Sequence, residues 1–130
     1  MGFKVLVVDD DIDTLEVFAE FLEIKDVSVV GRGHDGKEAV ELYQKHRPDF
    51  VLMDVMMPDY DGFYGIEEIR KVDPDAKIIM VTADVSMETK SKLKQLKPSA
   101  VVHKPYEIDD LINFMESMKN GQTGIVASKN

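Results

Sequence analysis

The chain has 130 residues, and its 16 Lys and Arg stand against 25 Asp and Glu, which gives a formal net charge of −9. This length fits one domain, and the acidic balance argues against direct contact with nucleic acid, which needs clustered cationic side chains. The absence of cysteine excludes disulfides, thiolate catalysis and cysteine-ligated metal sites.

Five short apolar runs, rich in β-branched residues, recur along the chain. They occupy residues 4–8, 27–30, 50–53, 77–81 and 100–102. Because the runs are continuous and do not alternate with polar residues, they are typical of strands buried on both faces of a parallel sheet. None approaches the roughly 20 apolar residues that span a bilayer, so we expect a cytoplasmic protein without membrane insertion.

An amphipathic segment follows each of the five runs. The first has an apolar face at helical spacing, made by Ile12, Leu15, Phe18 and Leu22. The second begins after an N-cap residue, Asp35, and stops before Pro48, and the third covers residues 62–72. The fifth ends at Asn120-Gly121 after an apolar face of Ile108, Leu111, Ile112, Met115 and Met118.

The fourth segment, residues 86–96, has few apolar anchors. They are Met87, Leu93 and Leu96, so we expect this helix to be the most weakly packed of the five. The strict alternation of strands and helices predicts right-handed crossovers and a doubly wound α/β fold.

Polar side chains gather where the predicted strands end, and ligands of doubly wound sheets bind at that edge. These residues are Asp9, Asp10, Asp11, Asp54, Thr82 and Lys104. Neighbouring carboxylates resist joint ionisation unless a cation joins them, and oxygen ligands without His or Cys favour Mg²⁺ over Zn²⁺. Open positions on such an ion suit phosphate oxygens, which the Lys104 ammonium and the Thr82 hydroxyl can also bind.

The Asp-rich stretch after the first strand has two other interpretations. An EF-hand loop is excluded because Thr14 stands where that loop requires glycine. The segment from Asp11 to Leu15 is similar to the nucleophile motif of haloacid-dehalogenase-type phosphatases, with Asp9 or Asp11 as the nucleophile. This segment falls inside the first predicted helix, which weakens the phosphatase hypothesis and leaves it open.

Four motifs in order resemble the receiver domain of two-component response regulators, and most of all the stand-alone, chemotaxis-type receivers. They are Val5-Leu-Val-Val-Asp-Asp10, Val51-Leu-Met-Asp54-Val-Met-Met-Pro58-Asp-Tyr-Asp61-Gly62, Val81-Thr82-Ala83 and Lys104-Pro105-Tyr106. The resemblance implies a flavodoxin-like (βα)₅ fold with a five-stranded parallel sheet of order 2-1-3-4-5. We expect the receiver domain in residues 1–120 and a flexible tail in residues 121–130.

The resemblance also implies roles for individual residues. Asp54 would accept a phosphoryl group from a phosphohistidine on a sensor histidine kinase or a histidine phosphotransfer protein. Thr82 and Lys104 would bind the phosphoryl oxygens, and the Lys104–Pro105 peptide bond would be cis.

The same resemblance implies how Mg²⁺ would be held. Asp10 and Asp54 would bind the ion by their side chains, Met56 by its backbone carbonyl, and Asp9 mostly through water. The side chains of Met53, Met56 and Met57 are interpreted as core residues. The protein would catalyse only its own phosphorylation and dephosphorylation.

One position departs from the usual receiver pattern. The switch residue three positions before the lysine is usually Tyr or Phe, and here it is Val101. We expect output to an unknown downstream protein through the face formed by the fourth helix, the fifth strand and the fifth helix. A phosphorelay intermediate, which passes the group on to another histidine, is the alternative within the family.

Overall fold

The structure, a computed structural model, describes residues 3–119. Its elements in chain order are β1 (Lys4–Val8), α1 (Ile12–Ile24), β2 (Ser28–Gly33), α2 (Gly36–His46), β3 (Phe50–Asp54), α3 (Gly62–Val72), β4 (Ile78–Thr82), α4 (Met87–Leu96), β5 (Ala100–His103) and α5 (Ile108–Lys119). All neighbouring strands pair in parallel, in the order β2-β1-β3-β4-β5. The predicted fold and strand order are therefore confirmed, whereas the predicted tail lies outside the described residues.

Apolar side chains fill both faces of the sheet, which explains the continuous apolar runs. One cluster joins the strands to α1 and α5 through Leu15, Leu22, Leu111, Met115 and Met118. The other joins them to α2, α3 and α4 through Ala39, Tyr43, Ile66, Ile69 and Leu93. Among residues 3–119, no helix is long and apolar enough to cross a membrane.

The second strand differs most from its prediction. It runs over Ser28–Gly33, later and longer than the predicted 27–30, and most of it is only half-buried. The strand lies at the edge of the sheet and follows β1 as far as Val8, which is paired with Gly33. Pairing with β1, and not local apolar content, therefore sets where this strand ends.

Two residues predicted to anchor helices are exposed. Ile12 is 59% exposed because it begins α1 at the edge of the sheet, and only the later turns of that helix bury side chains. Met87 is 81% exposed, again as the first residue of its helix. α4 buries only Thr89 and Leu93, which agrees with its predicted weak packing.

Short polar side chains start four of the helices. Asp11, Asp35, Asp61 and Ser86 each accept a hydrogen bond from the backbone N–H three residues later. Such bonds satisfy N–H groups that have no partner within the helix. Because each of these helices follows a strand, all four helix starts lie at the edge of the sheet where the strands end.

The start of α2 is pressed against the loop that follows β3. The Gly36 N–H donates to the Tyr60 carbonyl at 2.6 Å. A Cβ atom at Gly36 would collide with the Asp61 carbonyl and lie 3.0 Å from the Gly65 nitrogen. Glycine is required here because two backbones meet without room for a side chain.

We expect Gly36→Ala to lower the free energy of unfolding by about 1–3 kcal/mol, since overpacking forces the backbone to shift. Urea unfolding followed by circular dichroism measures the change. Gly33→Ala is the matched control, because its Cβ would lie at ordinary contact distances, 3.4 Å or more, from its neighbours. Equal losses in both variants would contradict the proposed close contact.

Candidate functional site

Three carboxylates meet at the edge of the sheet because β1 and β3 are neighbours. Val8 pairs with Met53, so the residues that come next in each strand emerge side by side. One carboxylate oxygen from each of Asp9, Asp10 and Asp54 lies within 4.8 Å of the others. We call these three residues the carboxylate cluster.

Lys104 brings a positive charge to this cluster from β5. Its Nζ donates to Asp54 Oδ2 at 3.3 Å, and its backbone N–H donates to the Thr82 carbonyl at 2.9 Å. The Asp54 side chain is only 14% exposed, so water screens this ion pair less than a pair on the open surface. The peptide bond from Lys104 to Pro105 is cis, as expected.

The cluster is electrostatically unfavourable for Asp9. Burial is the largest cause that raises the pKa of this carboxyl above its ordinary value. The negative charges of Asp54 and Asp10 raise the pKa further, while a hydrogen bond from the Asp11 N–H and the charge of Lys104 lower it. The ionised form of Asp9 therefore lacks sufficient positive charge nearby.

These donors fit a hard divalent cation such as Mg²⁺. All three are carboxylates, and such an ion would relieve their mutual repulsion. Mg²⁺ usually retains several waters, which leaves positions for phosphate oxygens. Met56, the expected backbone ligand, follows two residues after Asp54, and its side chain is 59% exposed, which corrects its interpretation as a core residue.

Thr82 ends β4 beside the cluster, one residue after the partner of Asp54 in the neighbouring strand. Its side chain is fully buried, and its Oγ1 accepts a hydrogen bond from the Asp84 N–H at 2.9 Å. The hydroxyl can still donate one hydrogen bond, so it can serve a phosphoryl oxygen.

A cavity of about 70 Å³ lies behind Asp9, Asp54 and Lys104. Phe18 and Tyr106 form part of its wall, with their rings edge to face at a centroid distance of 6.1 Å. Burial and the two nearby carboxylates raise the pKa of the Tyr106 hydroxyl, so it stays protonated. The sequence does not predict this wall, since Phe18 lies on the apolar face of the first helix and Tyr106 follows two residues after Lys104, far apart along the chain.

The fold and the site together define a class of protein: a doubly wound α/β domain with three clustered carboxylates, an ammonium and a hydroxyl at one edge of its sheet. Residues 5–116 match the family model described as the response regulator receiver domain. The chain belongs to this family.

Individual relatives agree with this assignment. The chemotaxis protein CheY of Bacillus subtilis is 30% identical over 120 residues, which cover 92% of this chain and all of that protein. CheY of Thermotoga maritima is 41% identical over 83 residues, 64% of this chain and 69% of that protein. The crystal structure of a CheX–CheY–BeF₃–Mg²⁺ complex from Borrelia burgdorferi matches with a TM-score of 0.80 and 25% identity, covering 90% of this chain and 89% of that one.

We expect Asp9→Asn to stabilise the metal-free protein, because it removes a carboxyl whose pKa is raised in the folded state. When the pKa of a carboxyl is raised on folding, the free energy of unfolding falls as the pH rises from the pKa in the unfolded state to the pKa in the folded state. The gain should therefore be largest at neutral pH and vanish below the unfolded pKa. Urea unfolding between pH 3 and pH 7 measures this, since the ordinary pKa of Asp, about 3.9, lies within that range.

Asp13→Asn is the matched control, since it removes the same charge from the exposed first turn of α1. That variant should be slightly less stable, because an acidic side chain near a helix N-terminus is favourable. A gain of equal size in both variants would show that the effect is one of net charge alone.

Proposed function

We propose that the protein is a phosphorylation-switched receiver that accepts a phosphoryl group on Asp54 from a phosphohistidine. The donor is a sensor histidine kinase or a histidine phosphotransfer protein. The observation that carries this proposal is the position of Asp54, which shares a cluster with Asp9 and Asp10 and pairs with Lys104. With a divalent cation bound to the carboxylate cluster, this arrangement would offset the negative charge that a phosphoryl group adds to Asp54.

The chemistry requires little beyond position and charge. An oxygen of Asp54 attacks phosphorus, a P–O bond forms, and the P–N bond of the donor breaks. The electron pair stays on the imidazole nitrogen, which then takes a proton from water. Because the transition state of phosphoryl transfer is loose, alignment and positive charge supply most of the rate enhancement.

The residues at this edge of the sheet would have different roles. Asp10 and Asp54 would hold Mg²⁺ by their side chains, Met56 by its backbone carbonyl, and Asp9 mostly through water. When bound, the ion supplies positive charge that offsets the incoming phosphoryl oxygens. Lys104 would move from the Asp54 carboxylate to a phosphoryl oxygen, and Thr82 would donate its hydroxyl to another.

The signal would leave through α4, β5 and α5. Val101 lies half-buried on β5, packed against the cluster that includes Leu93 of α4. A valine has one strongly preferred χ1 and too little volume to fill the space of an aromatic ring. We therefore assign the moving part to the loop after Thr82 and to α4.

The competing phosphatase hypothesis loses support from the position of its motif. The Asp11 side chain accepts from the Thr14 N–H at 3.2 Å and caps α1, whereas Asp13 is exposed in the first turn of that helix. Neither belongs to the carboxylate cluster, whereas Asp9, the other candidate nucleophile, does, so the phosphatase hypothesis now depends on Asp9 alone. A phosphorelay role stays compatible with the proposal, since it uses the same phosphorylated Asp54.

Acetyl phosphate with Mg²⁺ should add one phosphoryl group to the protein, and Asp54→Asn should abolish the addition because the amide is not nucleophilic. Intact mass spectrometry at low temperature measures the added mass. Asp10→Ala should abolish the labelling that depends on Mg²⁺.

Asp13→Asn serves as the control and should be labelled like the wild type. Full labelling of the Asp54→Asn variant would contradict the assignment of the phosphoacceptor. A phosphate found on Asp9 or Asp11, together with turnover of an aryl phosphate, would support the phosphatase instead.

Thr82→Ala should still accept phosphate on Asp54, but its α4 amide resonances should respond to beryllofluoride by less than half of the wild-type shift. The reason is that the variant lacks the hydroxyl that would sense the phosphoryl group. Val101→Ala should retain most of the response, because it removes packing and no phosphate contact. NMR titration of the three proteins makes the comparison, and an unchanged Thr82→Ala response would refute this account of the switch.

A further inference from the structure

Among the described residues, two threonine side chains are buried, and one short chain of hydrogen bonds joins them. Thr82 ends β4 and is 0% exposed, and Thr89, on the first turn of α4, is 5% exposed. Asp84 lies between them in sequence. A buried hydroxyl is costly without a partner, so the partners of these two groups matter to the stability of the loop.

Asp84 bonds to both threonines through different groups. Its backbone N–H donates to Thr82 Oγ1 at 2.9 Å, and its Oδ2 accepts from Thr89 Oγ1 at 2.7 Å. Its other carboxylate oxygen accepts from the Ser86 N–H at 2.8 Å. We call this set of bonds the Asp84 bridge; it spans the distance from the edge of the sheet to α4.

Little else holds the start of α4. Met87 is exposed, and Leu93 is the first apolar side chain of the helix that is buried. The Ser86 side chain caps the helix through the Thr89 N–H at 3.2 Å, so both the cap and the bridge depend on the same first turn. The pKa of Asp84 is lowered, mainly by the Thr89 hydroxyl and then by bonds to Ser86, which agrees with an ionised acceptor.

We propose that Asp84 is a positioning residue that holds α4 in its resting place and releases it when Thr82 turns toward a phosphoryl group on Asp54. The inference rests on the proposed function. Movement of the Thr82 hydroxyl breaks its bond to the Asp84 N–H, and the backbone of Asp84 then shifts. The shift separates the Asp84 carboxylate from Thr89, and the first turn of α4 loses its attachment to the sheet.

The test compares Thr89→Val, which keeps the shape and removes the hydroxyl, with Thr89→Ser, which keeps the hydroxyl. Amide hydrogen exchange of residues 90–93 reports on α4, and NMR titration with beryllofluoride in the presence of Mg²⁺ reports on the distant site. Loss of one hydrogen bond should speed exchange roughly three- to tenfold in Thr89→Val without beryllofluoride. Because coupling is reciprocal, beryllofluoride should bind that variant more tightly by a similar factor.

Thr89→Ser should match the wild type in both measurements. Asp84→Ala retains the N–H bond to Thr82 and loses the carboxylate, so it should behave like Thr89→Val. This second variant controls for an effect of the valine side chain itself. Faster exchange with unchanged beryllofluoride affinity would reduce the bridge to an ordinary helix cap and overturn the inference. Identical behaviour of the Val and Ser variants would also overturn it.

The wild-type titration separates this inference from the proposed function. If the wild type binds beryllofluoride and the variants bind it equally, the role of Asp84 is wrong and the receiver function stands. Failure of the wild type to bind beryllofluoride with Mg²⁺ would overturn the proposed function and the inference together.

Discussion

The pairing of β1 with β3 is the constraint on which the site depends. Adjacent parallel strands bring the residues at and just after their ends to one edge of the sheet, and here those residues include Asp9, Asp10 and Asp54. Three such groups within 4.8 Å cannot all be ionised at low cost, so the fold itself creates a demand for positive charge. Lys104, which follows β5 two strands away from β3, meets part of this demand, and a divalent cation is suited to meet the rest.

The two sides of this edge differ in stiffness. On the side of β3, the backbones of Gly36 and Tyr60 meet at 2.6 Å, and the Gly62 N–H donates to the Val55 carbonyl at 2.9 Å. On the side of β4, polar bonds around Asp84 hold the start of α4, and Leu93 is the one apolar side chain of that helix that is buried. In the proposed switch, a firmly held cluster next to a weakly held helix would separate the phosphoryl chemistry from the response, because the carboxylates would stay in place while the helix moves.

Sequence reasoning succeeded where a single physical rule decides the outcome. Burial on both faces predicted the parallel sheet, and the meeting of strand ends predicted the clustering of Asp54 with Asp9 and Asp10. It failed where several contacts compete: hydrogen bonding to β1 extends β2, and Met87 is exposed because it begins its helix. The Asp84 bridge was invisible because a polar residue in a loop has many possible partners, and only the fold selects one.

The sparse anchoring of α4 also bears on how much output the protein gives before it is phosphorylated. When two arrangements of one element differ by only a few kcal/mol, the minor one is populated at about 0.1–10%. Unmodified molecules would then present the signalling arrangement for part of the time. In the proposed switch, a helix secured by a hydroxyl, a carboxylate and Leu93 would thus set a background level of output, and tightening that anchorage would lower both the background and the sensitivity to the donor.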